Sequence, residues 1–220
     1  MGTWLSVFHK HGVQDFLGID GDWIPKEMLE IPAERFLAMD LCQPNKNRRQ
    51  FDLVVSLEVA EHLPPVIADQ FVSYLTSLGP VILFSAAIPG QGGTDHLNEQ
   101  WPRYWISLFE TRKFKCIDCV RGKFWNNEGV ARWFAQNTFF FVAEDQLNHY
   151  PALLKEETLF FFGYNPVVHP RTYWVKIRDI ERRSNPETYS IPRFIKALPF
   201  LLKRSVLWRL KIALAKLRGF

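Results

Sequence analysis

Three acidic side chains stand just past three apolar runs: Asp20 closes DFLGID, Asp40 closes RFLAMD and Glu58 follows FDLVVSL. In an open α/β sheet, ligands gather outside the carboxyl ends of the strands, so residues just beyond a strand are placed to meet them. A carboxylate after one strand can accept both hydroxyls of a ribose, and one after the next can accept the exocyclic amine of adenine. Order and spacing therefore fit a nucleoside site, although a surface carboxylate can do no more than end a strand. Two histidines add proton chemistry: His62 in the turn EVAEHLPP and His96 in the loop PGQGGTDHLNEQ. An unperturbed imidazole titrates near neutrality, which suits a general base. Against that, His62 could only brace its turn, and His96 could be a solvated loop residue. His96 with Asp95, Asn98 and Glu99 is expected to shape an acceptor pocket, with Asn98 and Glu99 as its substrate-side candidates.

These residues need a scaffold, and the apolar pattern supplies one. Thr3 to His11 reads as a helix stopped by Gly12, DFLGID as a strand, and Pro25 to Leu29 as a short helix. RFLAMDL is a second strand, QPNKNRRQ a loop, and FDLVVSLEVA opens with a nearly continuous apolar strand of the kind buried on both faces. Pro64 and Pro65 start a helix to about Leu78, and GPVILFSAA is the next buried strand. Strand, helix, strand in this order indicates α/β winding. After the long loop, Trp101 to Thr111 reads as a helix, FKCIDCV as a strand and NTFFFVAE as its antiparallel neighbour. Residues 147–192 carry irregular apolar patches interrupted by proline, so an irregular extension is expected there. From 193 to 220 Leu202, Val206, Leu210, Ala213, Leu214 and Leu217 recur at helical spacing, with Arg204, Arg209, Lys211, Lys216 and Arg218 off that stripe.

With 220 residues, 47% apolar, the chain can bury a full core. It shows no signal-peptide pattern and no long uncharged apolar stretch, so a cytoplasmic protein that does not span a membrane is expected. Three cysteines, Cys42, Cys116 and Cys119, are too few and too odd in number for a disulfide scaffold. Residues 193–220 hold eight Lys or Arg and no acid, whereas the rest of the chain carries 19 basic and 23 acidic side chains. The body is thus mildly acidic and the tail basic. Such a helix suits an anionic membrane surface, packing of its stripe on a partner or on the body, or nucleic acid; the absence of a nucleic-acid motif disfavours the last.

Other spacings carry less. Cys116 and Cys119 lie three apart on a strand and face opposite sides, which disfavours a zinc or redox pair, and no metal site is expected. His9 and His11, two apart on a helix, do not share a face. Gly90, Gln91, Gly92 and Gly93 lack the Lys-Ser/Thr of a phosphate loop and read more simply as a mobile lid. The aromatics of WFAQNTFFFV read as core.

GTWLSVF, FLGIDGDW, FLAMDL, FDLVVSLEVAEHLPP and VILFSAAIPGQGGTDHLNEQWPRYW together resemble the successive motifs of class I S-adenosylmethionine-dependent methyltransferases, in the small-molecule branch that includes ubiquinone-pathway enzymes. The resemblance spans about Gly2 to Glu144, and FDLVVSLEVAEHL is its most specific part. It implies a Rossmann-like, doubly wound, mostly parallel sheet with an antiparallel final strand. It implies S-adenosylmethionine as cofactor, with the ribose at Asp20 beside Gly21, the adenine at Asp40 and Leu41, and the methionine portion bordered by Ser56, Leu57 and Glu58. In some relatives a histidine at the position resembling His62 takes part in proton removal. Gly2 resembles the last glycine of the family's G-x-G turn, so the usual first strand, which lies between the strands ending at Asp20 and Ser56, is expected to be lacking.

The expected organisation is an N-terminally incomplete methyltransferase-like domain over 1–146, an irregular extension over 147–192 and a basic amphipathic helical tail over 193–220. The implied activity is methyl transfer from S-adenosylmethionine to an oxygen or nitrogen of a small-molecule, glycan or lipid-linked acceptor. Methyl transfer asks the protein mainly to align nucleophile, methyl carbon and leaving sulfur, and His62 and His96 are the catalytic candidates. Two rivals stand beside it: a non-catalytic, degenerate fold that binds a membrane surface or a partner, and an NAD-dependent dehydrogenase.

Overall fold

Strand patterning on the four-stranded sheet sorts its side chains cleanly onto two faces. In the computed structural model, which describes residues 1–44, 49–157, 166–185 and 190–217, helix α1 (Thr3–Lys10) precedes strands β1 (Gly18–Asp20), β2 (Phe36–Ala38) and β3 (Val54–Leu57). Helix α2 (Ala68–Leu78), β4 (Val81–Ser85), α3 (Pro102–Glu110), β5 (Phe114–Ile117), α4 (Val120–Phe124), α5 (Arg132–Asn137) and β6 (Phe139–Ala143) follow. The architecture is α/β, with a mixed sheet in the order β3-β4-β6-β5 and a separate parallel pair β1-β2. β3 and β4 run parallel, while β6 lies antiparallel between β4 and β5. Among the described residues β1 pairs only with β2 and β3 only with β4, so no ladder joins the strand ending at Asp20 to the strand containing Ser56.

Alternation along each strand builds the core. Ile82 and Phe84 of β4, Phe139 and Phe141 of β6, and Phe114 and Cys116 of β5 face one side. There they meet Phe71, Val72, Leu75 and Leu78 of α2 and Trp105, Ile106 and Phe109 of α3. Intervening residues Val81, Ile117 and Val142 face the other side, against Leu147, Leu153 and Leu154. This is the period-two pattern of strands covered on both faces. Ile19, Met39 and Leu41 join the first cluster, which ties the β1-β2 pair to the main core. Cys116 joins one cluster and Cys119 the other, although Cys119 lies beyond the strand's end at Ile117, so strand alternation is not what places it. Burial pushes the Cys116 thiol well above its ordinary range and leaves it unreactive.

Several boundaries differ from the sequence reading. The helix expected from Pro25 is a single tight turn, Lys26–Met28. FKCIDCV leaves the strand after Ile117 because the buried Asp118 carboxylate accepts Nε of Arg121 at 2.9 Å, and this pair opens α4. The Arg121 guanidinium also covers the Phe139 ring at 4.4 Å. Nor is the segment 147–192 irregular throughout: it holds α6 (Pro151–Glu157) and α7 (Pro170–Ser184). α7 is braced by an Arg183–Asp179 ion pair of 2.9 Å one turn apart. The expected tail helix is present as α8 (Ile191–Leu217), with Pro199 inside it. Arg218 and residues 45–48 of the QPNKNRRQ loop lie outside the described residues.

Two compact units divide the chain, Met1–His169 and Pro170–Phe220. No helix among the described residues is long and apolar enough to cross a membrane.

Phe109 and Phe141 stack with ring centroids 3.8 Å apart, and Phe84 meets both rings edge-on. Phe109→Ala is expected to cost about 3 to 5 kcal/mol in a urea titration, because both neighbours are too constrained to refill the space. A loss below about 1 kcal/mol would show that this cluster is not the packing centre.

Candidate functional site

Parallel pairing of Leu57 with Ser85 brings the carboxyl ends of β3 and β4 level, and the chain turns sharply just beyond. Glu58 takes a left-handed conformation, φ 54°, which costs a non-glycine residue about 1 to 2 kcal/mol. Its amide is held in return by the Ser85 carbonyl at 3.1 Å and the Ser85 hydroxyl at 3.0 Å. The Glu58 carboxylate accepts Nε2 of Gln91 at 2.8 Å and Nδ2 of Asn137 at 3.3 Å. Asn137 also donates to Gln91 Oε1 and accepts from Gln136 Nε2, both at 2.8 Å. Gln136 then accepts the His169 amide at 2.7 Å. One carboxylate is thus anchored in a buried run of amide side chains.

Three residues on, Glu61 is treated differently. Its side chain is 0% exposed and neither carboxylate oxygen has a hydrogen-bond partner among the described residues. Burial first, and the neighbouring Glu58 charge second, push its pKa from an ordinary 4.5 up to about 8. The Glu61 backbone carbonyl accepts two amides of the long loop, Leu97 at 2.8 Å and Asn98 at 2.9 Å. Those bonds seat the loop over the EVAEH turn and bring His96 edge-on to His62, centroids 4.9 Å apart at 88°.

His96 is in turn aimed by Glu99. Its Nδ1 lies 2.8 Å from Glu99 Oε1, and the Glu99 oxygens also accept the amides of Gly92 at 2.8 Å and Gly90 at 2.7 Å. Although burial pulls the Glu99 pKa up, His96 and the two amides hold it below the usual carboxylate range. Gly90 and Gly92 reach this carboxylate at positive φ, 78° and 71°. A methyl group on Gly93 would stand 2.1 Å from His96 Nε2, so glycine is what admits the ring there. The glycine-rich stretch expected to be a mobile lid is therefore pinned at both ends, its amides bound to an internal carboxylate.

On the two-stranded sheet, Asp20 is the last residue of β1, paired in register with Ala38 of the parallel β2, and Asp40 lies two residues past Ala38. The Asp20 carbonyl accepts the Met39 amide at 2.8 Å, and the Asp20 carboxylate accepts the amide of Gly21 at 2.8 Å. The Asp40 carboxylate accepts the Cys42 amide at 2.8 Å. The exposed Trp23 indole lies over Gly21, where a methyl group would collide at 2.1 Å. Leu41 packs partly into the core, and Gly2 stands at the start of α1 with φ 83°.

Placement of the remaining candidates is mixed. Ser56 lies inside β3 with a buried hydroxyl, and only Leu57 and Glu58 reach the strand's end. His62 is exposed in the turn Ala60–His62. Asn98, expected on the substrate side, is 2% exposed and accepts Nε2 of Gln100 at 3.0 Å. Glu99, expected beside it, has both oxygens engaged within the loop. Sequence reasoning missed Glu61, Gln91, Gln136 and Asn137. The signal for Glu61 was its place between Glu58 and His62 in EVAEH; nothing local marks the amides. Glu61, His62 and His96 form a group that can hold a metal ion, with one donor atom from each within 4.8 Å of the others.

No family model, no curated protein and no solved structure matches this chain. The reading of the site rests on its geometry.

Glu61 gives the folded protein a pH dependence of defined sign. Its folded pKa exceeds the unfolded value, so its stabilising share is fully present below about pH 4.5 and is lost as pH rises toward 8. In chelating buffer the urea stability is expected to fall by a few kcal/mol between pH 5 and 8, and Glu61→Gln should flatten that slope. Parallel profiles for the two proteins would mean that Glu61 titrates as an ordinary carboxylate and is not desolvated in the folded protein.

Proposed function

We propose that the chain is a Rossmann-like, S-adenosylmethionine-dependent methyltransferase domain acting on an oxygen or nitrogen of a small-molecule, glycan or lipid-linked acceptor. The observation that carries this reading is the shared rim of Asp20 and Asp40. Two carboxylates leaving adjacent parallel strands at the same end suit the two polar edges of one adenosine, ribose at the first and adenine at the second. Gly21 beside Asp20 lies under the exposed Trp23 indole, and Leu41, packed partly into the core, offers an apolar surface for the base. Support against a dehydrogenase comes from β6, a last strand inserted antiparallel between β4 and β5 as the resemblance implies. The carboxyl ends of β3 and β4 then face the reacting end of the cofactor, where Glu58, Glu61, His62 and His96 gather. Chemistry there amounts to holding the acceptor in line with the sulfonium methyl and accommodating the proton it loses.

Calorimetric titration tests the reading. S-adenosylhomocysteine is expected to bind and NAD is not, with Asp20→Asn weakening the affinity at least tenfold. Binding of NAD instead favours the dehydrogenase. Binding of neither favours a non-catalytic fold, and both outcomes overturn the proposal.

The tail adds a partner to this proposal: an anionic surface at the inner, cytoplasmic face of a membrane. In α8 Ile191, Phe194, Ile195, Leu198, Leu202 and Val206 recur at helical spacing and are exposed, while Lys196, Lys203, Arg204 and Arg209 supply cations. Vesicles containing phosphatidylserine or phosphatidylglycerol are expected to sediment the protein, and neutral vesicles are not. Unchanged sedimentation after deletion of 193–220 would remove the tail from that role.

A further inference from the structure

Glu61, His62 and His96 have the composition of a metal centre. Two imidazoles and one carboxylate are the donors of many Zn2+ and other divalent transition-metal sites, and softer nitrogen donors disfavour Mg2+ and Ca2+. Glu61 contributes a carboxylate that is 0% exposed and has no hydrogen-bond partner among the described residues. A buried carboxylate left without donors is expensive, whereas a cation supplies the missing partner. His96 has its Nδ1 against Glu99, which leaves Nε2 as the nitrogen available to a ligand. Glu99 is fixed by the Gly90 and Gly92 amides, so a carboxylate orients the imidazole from behind, as in carboxylate–histidine–metal triads. His62 is exposed and reaches the same point from the turn, which leaves one side open to solvent and to an acceptor. The three donors lie within 4.8 Å of one another. An ion held at about 2.1 Å from each needs donors at most about 4.2 Å apart. Donors within 4.8 Å of one another thus stand at or near the span an ion can bridge, and the exposed His62 side chain is free to close what remains.

We infer that Glu61, His62 and His96 bind a divalent transition-metal ion of the Zn2+ class, with Glu99 as the positioning residue for His96. The binding itself does not depend on the methyl-transfer reading. Its consequence does: an acceptor hydroxyl on the ion loses its proton to solvent more readily. With S-adenosylmethionine bound, the oxygen would form its bond to the sulfonium methyl as the carbon–sulfur bond broke and its electron pair returned to sulfur, leaving S-adenosylhomocysteine. In this arrangement the two histidines supply ring nitrogens to the ion and do not themselves take the proton.

Co2+ titration of the full chain, stripped with chelator and free of any nucleoside, tests the binding through visible absorption. The expected result is one Co2+ per chain with d–d bands, displaced stoichiometrically by Zn2+ but not by Mg2+. His62→Ala and Glu61→Gln are expected to weaken binding at least tenfold. His62 is exposed, and Gln keeps the shape of Glu while removing its buried charge, so both variants should fold, as circular dichroism would check. Glu99→Gln should weaken binding about 10- to 100-fold through His96 alone. The double change His9→Ala with His11→Ala, away from the cluster, should leave the titration unchanged. Absence of d–d bands, or bands that survive Glu61→Gln and His62→Ala, would overturn the assignment. Since no nucleoside enters the titration, its failure is distinct from failure of S-adenosylhomocysteine to bind.

Discussion

Glu58 and Glu61 stand together at the end of β3, and the protein provides hydrogen-bond donors for only one of them. Gln91 and Asn137 hold Glu58 as a carboxylate, while Glu61 is sealed away with neither oxygen partnered among the described residues. Two like charges this close in sequence and both drawn to the end of one strand do not persist together in a low-dielectric setting without compensation, so Glu61 either takes up a proton or meets a cation. The backbone around them is held just as firmly. Glu58 accepts a strained φ, Ser85 returns two bonds to its amide, and the Glu61 carbonyl fastens the long loop that carries His96.

A polar constellation of this sort needs a rigid floor. β3 and β4 end in register, and α2 and α3 fill one face of their sheet with the Phe84, Trp105, Phe109 and Phe141 rings. The amide run Gln91, Asn137, Gln136 then links the site to the His169 amide, through residues that are at most 8% exposed. Buried amides that satisfy one another are costly to disturb singly, because each loss strands its neighbour. Glu58 is therefore tied to the fold as a whole, whereas His62, at the surface, is tied only to its own turn.

Much of the scaffold was legible in the sequence because strands and helices announce themselves by period. FDLVVS, VILFS and NTFFFVA each became a strand, and the alternation of Phe139, Phe140 and Phe141 across the sheet follows from the pleat alone. Asp20, Asp40 and Glu58 could be placed for the same reason, as residues just past strands. Less could be read where pairing is non-local. The shortening of FKCIDCV depends on Asp118 meeting Arg121 in the core, and the pinning of PGQGG depends on Glu99, seven to nine residues further on. Glu61 lay within a motif singled out for His62, yet its burial follows from the loop above it and not from its neighbours in sequence. α6 and α7 sit in a proline-punctuated stretch, and two of its prolines, Pro151 and Pro170, begin helices.

The central claim is that the donors of Glu61, His62 and His96 converge on a single point at the carboxyl ends of β3 and β4. Anomalous diffraction at the zinc edge, from crystals grown with one equivalent of Zn2+, tests it most directly. The account requires one strong peak per chain, about 2.1 Å from an oxygen of Glu61 and from one ring nitrogen each of His62 and His96. A peak elsewhere, or none with Glu61 still buried and unpartnered, would contradict it.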